Sequence, residues 1–169
     1  LAHGAQAEVA SLEGMRRVPL QKVYAGPGRS ALRTGIDLLV GFVLPLRGAG
    51  EGAAFKRVMR PQGVALPVLN LAAWLRREGD RIEDVRIALG PAGPIPFKAL
   101  ETEAMLRGQR YEPARLEQAI EIIQSEASFR TSPHRATLDY RTHLAGVLLE
   151  EVLAAAWERA AESRYEYVP

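Results

Sequence analysis

The hydrophobic period of this chain changes once, and that change constrains its fold more than any other feature. Before a stretch rich in glycine and proline at 90–96, apolar side chains alternate as they do in strands. Val85, Ile87 and Leu89 show this alternation in a pattern typical of a half-buried strand. After the stretch, residues 116–123 repeat their apolar side chains at helical spacing. Strands that come first and helices that follow predict an α+β fold.

Turn signals divide the first part of the chain into short strands. Glu13 and Gly14 separate the two strands of a predicted hairpin. The last three strands are joined by short turns, one of them at 61–63, and they predict an antiparallel meander. Residues 65–75 are predicted to be a strand, with a helix as the alternative because of their alanines. The apolar run at 36–45 is expected to be a buried strand. The predicted strands cover residues 5–12, 15–20, 36–45, 53–59, 65–75 and 81–89.

Three helices are predicted after residue 98. The first covers 99–106 and ends before Gly108, a residue type that suits the position after a helix C-terminus. Pro113 suits the first turn of the second helix, and the third begins near Thr137 or Asp139. The buried stripe of the third helix is expected to contain Leu144, Val147, Leu148, Val152 and Ala155. The prediction is an α+β sandwich, in which three helices pack on one face of an antiparallel sheet of three to four strands.

Composition excludes several kinds of protein. The chain has no cysteine, so it forms no disulfide, thiolate zinc site or cysteine-ligated iron–sulfur cluster. Lysine and arginine outnumber the acidic residues by only 22 to 20 and do not cluster, so no nucleic-acid partner is expected. No apolar run approaches the roughly 20 residues of a membrane span, and no signal peptide is visible. A cytoplasmic location is expected.

Polar side chains form no strong catalytic or metal-binding pattern. A surface or capping role is expected for each histidine, namely His3, His134 and His143. Paired glutamates on the helices are expected to be solvated, namely Glu101, Glu103, Glu150 and Glu151. Gly48, Gly50 and Gly52 lack the lysine and hydroxyl residue of a phosphate-binding loop, so a connector is favoured over a nucleotide site.

The stretch at 90–96 contains three prolines and two glycines. Prolines restrict a loop at low entropic cost, and glycine lets a planar ligand approach the backbone. Composition alone favours a rigid crossover from strand to helix, with a ligand-binding loop as the alternative. Lys98, which follows the loop, is either a surface cation or a contact to an anion.

Eight short segments form an ordered pattern that covers nearly the whole chain. They are 14–20 (GMRRVPL), 26–28 (GPG), 37–45 (DLLVGFVLP), 55–60 (FKRVMR), 87–90 (IALG), 94–99 (PIPFKA), 106–108 (LRG) and 132–137 (SPHRAT). Their order and spacing resemble the C-terminal part of the FAD-binding medium subunit of molybdenum hydroxylases. That family includes carbon monoxide dehydrogenase and xanthine dehydrogenase.

The resemblance implies a domain division and a site. Residues 1–46 would be the tail of an FAD-binding domain, 47–52 a linker, and 53–169 the C-terminal domain. FAD would be bound by the complete subunit, and this chain would form the lid side of the flavin site. The residues implied to face the flavin are Gly93, Ile95, Pro96 and Lys98.

The resemblance also implies partners and chemistry. Electrons would pass from a molybdenum-cofactor large subunit and the [2Fe-2S] clusters of a small subunit to FAD and then to an acceptor, and this chain alone would not be catalytic. Two features depart from the family pattern. An acidic residue of the pattern is replaced by Gly63, and the glycine-rich FAD segments do not occur in this sequence. A non-catalytic interaction module and a binder of another small molecule remain alternatives.

Overall fold

The computed structural model describes residues 1–59, 65–132 and 136–162, and within them strands come first and helices last. The strands are β1 (Gln6–Ser11), β2 (Gly14–Pro19), β3 (Tyr24–Gly26), β4 (Arg29–Ser30), β5 (Leu38–Val43), β6 (Glu51–Met59), β7 (Pro67–Glu78), β8 (Arg81–Gly90) and β9 (Phe97–Lys98). The helices are α1 (Leu100–Leu106), α2 (Pro113–Glu126) and α3 (Leu138–Ala161). The predicted α+β class is confirmed. The predicted turn at 61–63, Gly63 itself and His134 lie outside the described residues.

The first sheet has the strand order β2-β1-β5, and the predicted β1–β2 hairpin is present. Its turn is at Leu12 and Glu13, one residue before the predicted Glu13 and Gly14, because Gly14 already pairs with Ser11. The strand expected at 36–45 is present as β5, but the expectation that it is buried is wrong. Leu38 and Phe42 are 66% and 53% exposed. The reason is that β5 is an edge strand of a small sheet, so its apolar side chains have few neighbours among the described residues.

The second sheet is an antiparallel meander with the order β6-β7-β8-β9, as predicted for its first three strands. Residues 65–75, for which a helix was the alternative, lie mostly in β7. One face of this sheet carries fully buried side chains such as Leu71, Leu75 and Ile87. The helix α3 packs along β6 and β7 on that face, α1 packs on β8, and α2 packs against both helices. The glycine at the start of β6, Gly52, lies directly against the α3 backbone near Ala156.

The helix ends follow the sequence signals, but the buried face of α3 differs in part. Gly108 has a φ of +76°, Pro113 is the first residue of α2, and Thr137 caps α3 by accepting the Tyr140 N–H. Val147, expected in the buried stripe, is 36% exposed, which makes that expectation wrong. Because α3 contacts both the sheet and α2, its buried face is wider than one stripe. The fully or almost fully buried residues of α3 include Leu148, Leu149, Val152, Leu153 and Ala156.

Candidate functional site

The four residues that the resemblance places beside a flavin lie in the short connection between β8 and α1. Gly93 is exposed, whereas Ile95, Pro96 and Lys98 are half-buried. Gly93 has a φ of +156°, a backbone conformation that side chains disfavour, so glycine suits this position. Lys98 is the last residue of β9, the edge strand of the second sheet. All four residues therefore lie at one end of this sheet.

Buried alanines and a hydrogen bond fix both ends of the connection. Ala92 and Ala99 are 1% and 0% exposed. The Ala99 N–H donates to the Ile87 carbonyl over 3.1 Å, and β9 pairs with the end of β8. The Gly90–Pro91 peptide bond is cis. Prolines restrict the backbone between the two anchors, so the connection presents a defined surface.

The strand register places Lys98 in a row of four side chains that crosses the whole sheet. Lys98 pairs with Ala88, Ala88 pairs with Ala72, and Ala72 pairs with Phe55. Residues that pair directly across antiparallel strands point to the same face. One large aromatic side chain, two methyl groups and one cation therefore follow one another across a single face.

The neighbours of this row show that it lies on the face away from the helices. Phe97, which precedes Lys98, packs against the hydrophobic core. Lys56, which follows Phe55, forms a 2.7 Å ion pair with Glu151 of α3. Because side chains alternate along a strand, Phe55 and Lys98 point to the opposite face, which we call the open face. Phe55 is 59% exposed there.

Small residues make the middle of the open face shallow. Ala72 and Ala88 are half-buried, and Gly90 pairs with Asn70 in the next row. A Cβ added at Gly90 would lie 3.7 Å from the Asn70 Oδ1 atom. We call Ala72, Ala88 and Gly90 the platform. No side chain longer than a methyl group projects from the platform, and Lys98 lies beside it in the same row.

A buried carboxylate supports this region from the helix side. Glu103 is 4% exposed, and its Oε1 atom accepts the Ile87 N–H over 2.8 Å. Burial raises the pKa of the Glu103 carboxyl, while the Ile87 N–H and the charges of Lys98 and Arg107 oppose the rise. The expectation that Glu103 is solvated is wrong. A buried backbone N–H needs a hydrogen-bond acceptor. The Glu103 carboxylate supplies that acceptor for Ile87 of β8, close to the junction of β9 and α1.

A second carboxylate caps α1 from another helix. Glu126 of α2 accepts the N–H groups of Glu101 and Thr102 over 2.9 and 3.0 Å, and the Thr102 hydroxyl over 2.7 Å. Ala99, at the N-cap position, has no side chain that can do so. Negative charge is favourable at a helix N-terminus. This contact fixes the start of α1, and Lys98 lies two residues before it.

Sequence reasoning missed Phe55 as a site candidate, although a signal was present. Ala54 and Val58 lie on the core face of β6. Because side chains alternate along a strand, Phe55 is a large apolar residue on the opposite face, where polar residues are usual. Lys56 obscured the alternation, because it occupies a position on the helix side. In the described parts of the chain, no group of His, Asp and Glu side chains can hold a metal ion. No helix there is long and apolar enough to cross a membrane.

Comparison with known proteins gives consistent matches. A family model described as the CO dehydrogenase flavoprotein C-terminal domain matches residues 53–156. The chain is 27% identical over 158 residues to a xanthine dehydrogenase FAD-binding subunit of Escherichia coli O157:H7, covering 92% of this chain and 53% of that protein. It is 27% identical over 157 residues to a carbon monoxide dehydrogenase medium chain of Afipia carboxidovorans, covering 93% and 54%.

Solved structures agree with these matches. The structure of a carbon monoxide dehydrogenase from Hydrogenophaga pseudoflava, which lacks the Mo-pyranopterin moiety of the molybdenum cofactor, matches with a TM-score of 0.86 and 25% identity. That match covers 95% of this chain and 55% of the other chain. The chain therefore spans about half the length of the relatives it matches.

Proposed function

The chain belongs to the CO dehydrogenase flavoprotein C-terminal domain family, and on that premise we propose that its open face forms one wall of the flavin site in an FAD-binding subunit. The observation that carries the proposal is the platform of Ala72, Ala88 and Gly90, flanked by Phe55 and Lys98. A flat, mostly apolar surface with one cation at its edge suits the isoalloxazine ring, which is planar and gains negative charge on reduction.

Each part of the open face has a separate role in this proposal. Ala72 and Ala88 leave room for a ring against the backbone, and Phe55 limits its position at the β6 side. Lys98 places positive charge at the β9 side, where it stabilises electron density on the ring. The connection with Gly93, Ile95 and Pro96 excludes water from the edge nearest Lys98. FAD, when bound, supplies the oxidation–reduction chemistry, and this chain positions and tunes it.

The complete protein is proposed to pass electrons from [2Fe-2S] clusters through FAD to an acceptor. Its proposed partners are a molybdenum-cofactor large subunit and an iron–sulfur small subunit, and its proposed location is the cytoplasm. The similarity to an FAD-binding subunit and to a medium chain supports an FAD-binding medium subunit of a larger enzyme. No cysteine in this chain is available to ligate a cluster, so the clusters would be held elsewhere.

The domain division is part of the same proposal. Residues 1–46 are assigned to the tail of an FAD-binding domain, 47–52 to a linker and 53–169 to the C-terminal domain. The start of the family match at residue 53 supports the last boundary. Within the proposed linker, Glu51 and Gly52 are already the first residues of β6.

Filling the platform tests the proposal. In the native FAD-binding protein that contains this chain, Ala88→Leu places an isobutyl group at the centre of the open face. We expect FAD affinity to fall by about 5-fold to 150-fold, because overpacking costs about 1–3 kcal/mol. The matched control is Ala114→Leu, an exposed position on α2, which should leave affinity unchanged. Equal FAD affinity in the two variants, with both correctly folded, would exclude the platform as a flavin wall.

A further inference from the structure

A cavity of about 200 Å³ lies on the same face of the second sheet, beyond the Phe55–Lys98 row and away from Gly90. Residues from the start of the chain and from the connector before β6 line it together with residues of the sheet. At roughly 30 Å³ per water molecule, it has room for about six waters or a small organic ion. Its charged and aromatic lining residues are His3, Arg47, Glu51, Trp74, Arg76 and Arg86.

Positive charge dominates this cavity. Three arginines line it, namely Arg47, Arg76 and Arg86. Among the described lining residues, Glu51 contributes the one carboxylate. Arg47 donates to the Glu51 main-chain carbonyl over 2.8 Å, to the Arg159 carbonyl, and to the Glu162 carbonyl over 3.5 Å. These carbonyls occupy part of its guanidinium without neutralising the cation, so the main donors to a ligand are Arg76 and Arg86.

Arg86 is held in place before any ligand arrives. Its guanidinium lies 4.2 Å from the centre of the Trp74 ring, a cation–π contact. It also lies close to Gly4, where an added Cβ would be 2.9 Å from the Arg86 Nη1 atom. A guanidinium held by contacts with a ring and with the Gly4 backbone loses little entropy when it binds an oxyanion.

The arginines keep donors that their protein partners use weakly. Arg76 contacts Glu83 at 3.4 Å, and Arg86 contacts Asp84 at 3.4 Å, both near the upper limit of a hydrogen bond. Asp84 is shared with Arg107, which approaches it more closely at 3.0 Å. Each guanidinium has five N–H donors, so an oxyanion in the cavity can accept several of them.

We propose that this cavity binds a small multivalent oxyanion, either a phosphate or a carboxylate compound. Two guanidinium groups from neighbouring strands, Arg76 and Arg86, line a volume that fits one such ion, and Arg47 of the connector lines it as well. Since the ion would contact both the connector and the sheet, its binding would also stabilise the connector against the second sheet. The proposal requires no flavin, so it stands or fails separately from the proposed function.

The two tryptophans of the chain provide a built-in control for a binding experiment. Trp74 lines the cavity, whereas Trp157 of α3 stacks with Tyr111 and makes a cation–π contact with Arg77. The whole 169-residue chain, labelled with ¹⁵N, is titrated with inorganic phosphate and separately with malonate at constant ionic strength set by chloride. We expect saturable movement of the Trp74 indole resonance and none of Trp157. The tighter of the two ions identifies phosphate or carboxylate as the preferred ligand chemistry.

Paired variants test whether the arginines of the cavity are responsible. Arg76→Gln should weaken binding about tenfold, the value expected when one charged donor is lost. The matched control is Arg110→Gln, a surface arginine paired with Asp80 over 3.1 Å, which should bind as the unmodified chain does. Arg86→Lys, which retains the charge but removes the planar fork, provides a second weakened variant. Absence of saturable Trp74 movement, or equal weakening by Arg110→Gln, would overturn the proposal.

Discussion

Replacement of Gly52 by alanine is expected to disturb the contact between the second sheet and α3. A Cβ at this position would lie 2.1 Å from the Ala156 carbonyl oxygen and 2.5 Å from the Ala160 backbone nitrogen. Ordinary contacts begin near 3.4 Å, so the helix must retreat by about 1.3 Å. The obstacle is backbone, which cannot rotate away, and α3 is tied to β6 here by a 2.6 Å hydrogen bond from Arg159 to the Ala53 carbonyl.

The magnitude follows from the cost of overpacking. Such contacts cost about 1–3 kcal/mol and occasionally more, and alanine recovers at most about 1 kcal/mol by restricting the unfolded chain. Because the Gly52 clash involves two backbone atoms, we expect the free energy of unfolding to fall by about 3 kcal/mol. For a chain of this size, the melting temperature should fall by roughly 6–12 °C.

Urea and thermal unfolding, followed by circular dichroism, measure this effect. Gly48→Ala is the matched control, because its Cβ would meet only the flexible Glu51 carboxylate at 3.0 Å. That variant should stay within about 0.5 kcal/mol of the unmodified chain. If Gly52→Ala and Gly48→Ala unfold at the same urea concentration, α3 does not pack against β6 as described.

Three further changes test the contacts of the site and of the first sheet. Glu126→Ala removes the cap of α1 and should cost about 1–2 kcal/mol in urea unfolding, whereas the exposed Glu121→Ala should cost almost nothing. Hydrogen bonds from the Arg16 and Arg33 side chains hold the pKa of the Asp37 carboxyl far below its usual range. That stabilisation is present above the ordinary aspartate pKa of about 4 and is lost as the pH falls below it. Between about pH 5 and pH 3, the free energy of unfolding of the unmodified chain should therefore fall by more than that of Asp37→Asn. Burial raises the pKa of Glu103, so its ionised form costs stability above that pKa and the cost disappears as the pH falls. Glu103→Gln, which keeps an acceptor for the Ile87 N–H, should therefore be relatively more stable at about pH 7 than at about pH 4, as measured by urea midpoints.

Local signals predicted the elements well, because each depends on a few adjacent residues. The hairpin turn just before Gly14, the helix start at Pro113 and the cap at Thr137 follow from backbone preferences. Burial was less predictable, since it depends on what packs against an element. Leu38 lies in an apolar run that is a strand yet remains exposed, and Val147 lies on the outer side of α3.

The sequence predicted the connection that contains Lys98, but it did not predict which residues of other strands lie beside it. The connection with Lys98 stood out by its prolines, whereas the open face depends on the register of four strands. Phe55 lies far from Lys98 in the chain and joins its row only through Ala72 and Ala88. The sequence predicts a solvated Glu103 because a helix usually turns its carboxylates outward. Its contact with β8 depends on tertiary structure, which the local sequence does not contain.

The midpoint potential of the flavin in the native FAD-containing protein tests the role of the open face most directly. Lys98→Gln removes the cation beside the platform, and Lys56→Gln removes the lysine that faces α3 instead. A positive charge near the ring favours the reduced flavin, so Lys98→Gln should lower the potential by on the order of 30 mV, while Lys56→Gln should leave it unchanged. Identical potentials in the two variants and the unmodified protein would contradict the placement of the flavin on this face.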